Sequence, residues 1–88
     1  MLAVVRLKYP GTRHEPLRRL LRERSEILEC LRTTGDDRYI LKVAATSMAH
    51  LEEIVDALAQ FGGTTTNLVL SRTLPFRGPR EPQADSAR

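Results

Sequence analysis

The sequence predicts an α+β domain in which two helices cover one face of a four-stranded antiparallel sheet. Three observations predict it. Leu2 to Tyr9 alternates with period two, as a strand does, while Leu51, Ile54, Val55 and Leu58 recur at i, i+3, i+4, i+7, as one helix face does. Between them, Gly35-Asp36-Asp37 separates two apolar runs by a loop short enough to join antiparallel neighbours. The resulting order is strand, helix, strand, strand, helix, strand. Right-handed crossovers fold that order into a ferredoxin-like βαββαβ plait.

In the first strand, Ala3, Val5, Leu7 and Tyr9 share one face and Val4, Arg6 and Lys8 the other; Pro10-Gly11 ends it. The first helix rests on Leu17, Leu20 and Leu21 in HEPLRRLLRER, with Pro16 in the first turn. Thr12 and Glu15 have capping-box spacing, which leaves the start uncertain by a turn because Pro16 then sits one position too deep. Two strands follow, Ile27 to Thr34 and Arg38 to Ala45, the second with Tyr39, Leu41 and Val43 on one face and Ile40 and Lys42 on the other. Ser47 is placed to cap the second helix, Phe61 closes its apolar side and Gly62-Gly63 stops it. A last strand, Thr64 to Thr73, is expected to turn Leu68 and Leu70 inward. The folded domain is therefore 1–76. The polar residues 77–88, RGPREPQADSAR, bury too little apolar surface to offset ordering and read as a disordered tail.

The 88 residues suffice for one small domain. No run of about 18 apolar residues exists, and Arg6 and Lys8 interrupt the apolar start that a secretion signal needs; a cytoplasmic protein without membrane contact is expected. The single cysteine, Cys30, excludes a disulfide framework and a Cys-based zinc site and reads as a small buried hydrophobe. Of 14 basic residues 12 are arginine, but 11 acids accompany them and the net charge is only +3, too small and scattered for a nucleic-acid footprint. The first helix carries Arg13, Arg18, Arg19, Arg22 and Arg24 and the second Glu52, Glu53 and Asp56, which reads as attraction between neighbouring helices.

No catalytic set assembles. Asp36-Asp37 lacks the further ligands a metal needs, and His14 and His50 each stand alone near a helix start, where surface or capping roles suffice. No metal, no cofactor and no enzymatic activity are expected. RNA-recognition plaits place stacking aromatics on the central strands, where this chain offers Val4, Arg6, Lys8, Ile40 and Lys42. The uncovered sheet face would instead carry Val4, Ile40 and Val69 beside Arg6, Lys42 and Asn67, a surface suited to self-association into a dimeric α/β sandwich. Gly35-Asp36-Asp37 is a turn by its own chemistry, since glycine takes backbone angles that others avoid and aspartate supports turns through its side chain. An acidic turn also attracts an ammonium group, and backbone N–H groups at a tight turn suit a carboxylate.

ILECLRTTGDDRYILKV followed by MAHLEEIVDALAQFGGTTTNLVLS resembles the C-terminal effector-sensing (RAM) domain of the Lrp/AsnC transcription regulators. The likeness runs over about residues 2 to 76 and includes the Glu29-Cys30 pair and the threonine run. It implies a plait that dimerises through its sheets, assembles into octamers as tetramers of dimers, and binds amino-acid effectors between dimers. By that resemblance the effector site comprises Thr34, Gly35, Asp36, Asp37, Arg38 and Tyr39 together with Thr64, Thr65 and Thr66. Many members carry a second acid where this chain has Arg38, and a cation there favours a ligand carboxylate over its ammonium group. Family regulators also carry an N-terminal helix-turn-helix, whereas Met1 here runs directly into the first sensing strand. The expectation is a stand-alone sensing and oligomerisation domain, or an excised fragment, that reads no DNA and modulates transcription through partners, full-length Lrp/AsnC regulators among them. The competing readings are a structural oligomer without ligand and a small dimeric monooxygenase-like plait. The latter needs a polar cavity where Val5, Leu7, Leu41, Val43 and Leu68 suggest solid core.

Overall fold

A computed structural model of the chain describes residues 1–9, 14–35 and 39–79. Six elements follow in order: β1 (Leu2–Leu7), α1 (Glu15–Glu23), β2 (Ile27–Arg32), β3 (Tyr39–Ala44), α2 (Met48–Ala59) and β4 (Thr64–Leu68). The strands form one antiparallel sheet in the order β2-β3-β1-β4. This is the expected plait, with β1 and β3 central and β2 and β4 at the edges.

The alternation in β1 works as the sequence suggests. Ala3, Val5 and Leu7 are fully buried on the helix side, opposite Val43, Leu41 and Tyr39 of β3. Leu17 of α1 and Leu51, Ile54 and Leu58 of α2 complete the same core, so both helices lie on one face. The interior is packed with apolar side chains, and no polar or charged residue is buried among the described residues. Cys30 packs half-buried against this core, and burial pushes its thiol pKa up.

The two helices begin differently. Ser47 caps α2, its Oγ accepting the His50 backbone N–H at 3.1 Å. In α1 the cap position belongs to His14, whose side chain makes no capping bond, and Pro16 occupies the first turn. Thr12, the expected capping residue, lies outside the described residues. The attraction anticipated between the helices narrows to one place. Among the described residues only Arg24 bridges them, to Glu53 at 2.6 Å, while Arg22 pairs with Glu15 of its own helix at 2.8 Å. Arg18 and Arg19 stay exposed.

β4 departs most from expectation. It ends at Leu68 rather than Thr73; Leu68 is 45% exposed and Leu70, beyond the strand, 95% exposed. The register does put Leu68 on the helix side, opposite Ala3. An edge strand, however, has a sheet neighbour on one side only, and nothing covers its far end. Leu68 and Leu70 are therefore not core. On the helix-free face stand Val4, Arg6, Ile40, Lys42 and Asn67, with Val69 donating its backbone N–H to Leu2 O at 2.9 Å just past β4. Arg6 donates to Asn67 Oδ1 at 2.8 Å, and Lys42 faces Glu29 at 3.5 Å. A bulge between Ile27 and Glu29 leaves Leu28 exposed at the β2 edge.

Candidate functional site

The end of β2, the start of β3 and the start of β4 lie at the same end of the sheet. Tyr39 and Thr64 both flank Leu7, one on each neighbouring strand, so they stand about 10 Å apart across β1. Lys8 N–H binds Gly63 O at 2.8 Å and fixes the approach to β4. Gly35 enters the turn with φ +97°, a backbone conformation that side chains with a Cβ resist, and open space surrounds it. Thr34 and Gly35 are exposed. Asp36, Asp37 and Arg38 lie outside the described residues.

Tyr39 points the other way, into the molecule. Its ring is buried and its hydroxyl meets His14 Nδ1 at 2.9 Å. Tyr9, His14, Tyr39 and Phe61 form an aromatic cluster beneath this end of the sheet, with Tyr9–Tyr39 and Tyr9–Phe61 centroids 6.1 Å apart. The three threonines do not converge either. Thr64 and Thr66 share the helix side with Leu7 and Val5, whereas Thr65 stands on the open face opposite Arg6. Strand alternation separates what the run of identical residues appeared to gather.

His50 is not alone. Thr46 donates its backbone N–H to His50 Nδ1 at 3.0 Å, so the ring proton sits on Nε2 and reaches Glu26 Oε2 at 3.0 Å. Arg24 grips the same carboxylate at 3.2 Å on each oxygen and holds Glu53 with its outer nitrogens. The His50 bond and then the Arg24 guanidinium hold the Glu26 carboxyl down at about 2. Arg24, bonded first by Glu53 and then by Glu26, is raised further above its already high value. This network ties the end of α1 to the start of α2 behind β2. It engages its polar atoms with one another, as a structural clasp does.

Two depressions mark the described surface. A cleft of about 380 Å³ runs between α2 and β4, lined by Met48, Leu51, Glu52, Val55, Asp56 and Thr66. A shallower one of about 50 Å³ lies on the open sheet face among Val4, Glu29, Leu31, Ile40 and Lys42. Thr66 is the one expected effector residue that lines the larger cleft. The acids of α2, read from the sequence as partners for α1, supply its polar wall. No group of three or more metal-ligating side chains converges among the described residues.

The sequence model of the Lrp/AsnC ligand-binding domain matches residues 2–79. The chain belongs to this family. Solved structures give the same fold. A transcriptional regulator from Neisseria meningitidis, solved with L-methionine, superposes with a TM-score of 0.81 at 20% identity, over 94% of this chain and 58% of that one. LrpC of B. subtilis gives 0.74 at 21%, over 80% and 50%. The feast or famine regulatory protein of M. tuberculosis, complexed with L-methionine, gives 0.72 at 20%, over 89% and 55%. This Lrp/AsnC domain thus spans about half the length of the regulators it matches. No curated protein matches its sequence. Its relatives are transcriptional regulators rather than enzymes, and no helix among the described residues is long and apolar enough to cross a membrane.

Proposed function

We propose that this Lrp/AsnC domain senses an amino acid and self-associates, modulating transcription through partner regulators rather than through DNA contacts of its own. The family match over residues 2–79 carries the reading. L-methionine in the crystals of two structural neighbours supports the ligand class. The described helices both pack against the sheet, and neither is free to serve as a recognition helix.

The effector binds at the turn end of the sheet. Thr34, Gly35, Asp36, Asp37 and Arg38 offer backbone N–H groups and charge, Thr64, Thr65 and Thr66 offer hydroxyls, and Tyr39 anchors the turn to the core. Because the threonines alternate between faces, one protomer presents only part of the set in any direction. A second dimer packed against this end closes the site and excludes water, where unpaired polar groups discriminate against the wrong ligand. Val4, Arg6, Ile40, Lys42, Asn67 and Val69 form the dimer face, and dimers assemble into an octamer, alone or with full-length Lrp/AsnC regulators, in the cytoplasm.

A melting-temperature panel against the twenty amino acids tests the sensing role. A ligand at about a hundred times its dissociation constant stabilises by roughly 2.7 kcal/mol, a shift of several degrees for so small a domain. A selective shift names the effector class. A flat panel refutes amino-acid sensing and leaves self-association as the domain's role.

A further inference from the structure

Past β4 the chain runs exposed from Leu70 to Pro79. It carries three large apolar side chains with almost no cover: Leu70 at 95%, Leu74 at 66% and Phe76 at 88% exposure. Arg72 lies between the two leucines and Arg77 follows Phe76. The cleft between α2 and β4 has the complementary make-up, with apolar Met48, Leu51 and Val55 beside acidic Glu52 and Asp56. Neither Glu52 nor Asp56 takes part in an ion pair among the described residues.

We propose that this C-terminal arm, Leu70 to Arg77, docks in the α2–β4 cleft of a second copy of the chain. Spacing supports the match. The helical wall from Met48 to Asp56 is about 12 Å long, and the arm, which bends at Thr73 and Leu74, has enough chain between Leu70 and Leu74 to follow it. Leu70 and Leu74 cover the apolar wall while the arginines meet the acids, and each partner hides what the other exposes.

The occupant is a second copy because of how the arm leaves. Val69 N–H is still held by Leu2 O at 2.9 Å, which keeps the chain in line with β1 beyond the end of β4. That exit lies beside the start of α2, since Met1 N–H₃⁺ and O bind Ala45 O and N at 2.7 and 2.8 Å, two residues before the Ser47 cap. To seat Leu70 in its own cleft the arm would have to reverse immediately after that anchor. Reciprocal exchange between two copies needs no reversal and closes as a two-fold pair. It uses a surface separate from the open sheet face, although the cleft shares Thr66 with the proposed effector site.

Charge exchange tests it in the full chain. One variant carries Glu52→Lys and Asp56→Lys, the other Arg72→Glu and Arg77→Glu; all four positions are exposed, and circular dichroism verifies that both fold. Each alone sets like charge against like, and sedimentation velocity is expected to show that association step weakened more than about tenfold. Mixed, each arm meets a complementary cleft, and mixed pairs should form with the affinity of the unaltered chain. Variants that each assemble like the parent overturn the proposal. So does a mixture that fails to recover association, because the contact then lies within one chain or elsewhere. As a second readout, with Cys30→Ser throughout, chains bearing Phe76→Cys are mixed with chains bearing Val55→Cys or Met48→Cys. Disulfides between the two kinds of chain support arm exchange. Bonds formed only when both cysteines share one chain refute it, as does no bond at all.

Discussion

Glu26 illustrates how one residue can matter through its neighbours. His50 and Arg24 both favour its charged form and hold its carboxyl at about 2, below the ordinary 4.5. As pH falls the unfolded chain therefore takes up this proton first. The stability that Glu26 contributes is complete above about 4.5 and is lost as the pH approaches about 2. Glu15 and Glu53, lowered by Arg22 and Arg24 respectively, act in the same direction. Melting temperature measured across this range should fall with acid in the parent and fall less steeply in Glu26→Gln. Identical slopes would show that the clasp contributes nothing. Only the Arg24–Glu53 arm of this clasp was legible, as attraction between the helices; Glu26 and His50 join it only through the packing of α1 and α2.

Elements were legible where a single local rule decides them. The i, i+3, i+4, i+7 spacing of α2 becomes its buried stripe of Leu51, Ile54 and Leu58, and Ser47 caps it as its position suggests. β1 and β3 alternate as read. β4 was overextended because alternation reports which way a side chain faces and not whether anything covers it. The effector segments are proposed from family resemblance, and the run Thr64-Thr65-Thr66 hid the fact that its middle member faces away from the other two. The turn between β2 and β3 gives the sharpest test at this scale. Gly35 sits at φ +97° with nothing near the place a Cβ would occupy, so Gly35→Ala meets only a conformational penalty. Its cost is on the order of 1–2 kcal/mol. Thermal unfolding should register a loss of several degrees while the far-ultraviolet dichroism of the sheet persists. An unchanged melting point would mean that the turn relaxes to another form at no cost.

For the whole molecule, one-sided helices decide the outcome. The core on the helix side is sealed, while the other side of the sheet leaves Val4, Ile40, Val69 and the exposed Leu31 partly open to water. A charge placed there should disturb association and spare the fold. Ile40→Asp is expected to reduce the mass seen by sedimentation while its melting remains cooperative. If the mass does not change, the open face is not where copies meet.

The aromatic cluster at the turn end has a practical bearing on all of this. The chain has two tyrosines and no tryptophan, and both tyrosines belong to that cluster, Tyr39 immediately after the turn and Tyr9 at the end of β1. The tyrosine emission and tyrosine near-ultraviolet dichroism of the protein thus originate from one corner, the corner assigned to the effector. The domain carries a label-free optical reporter there. Titrations read in the tyrosine band report that corner directly.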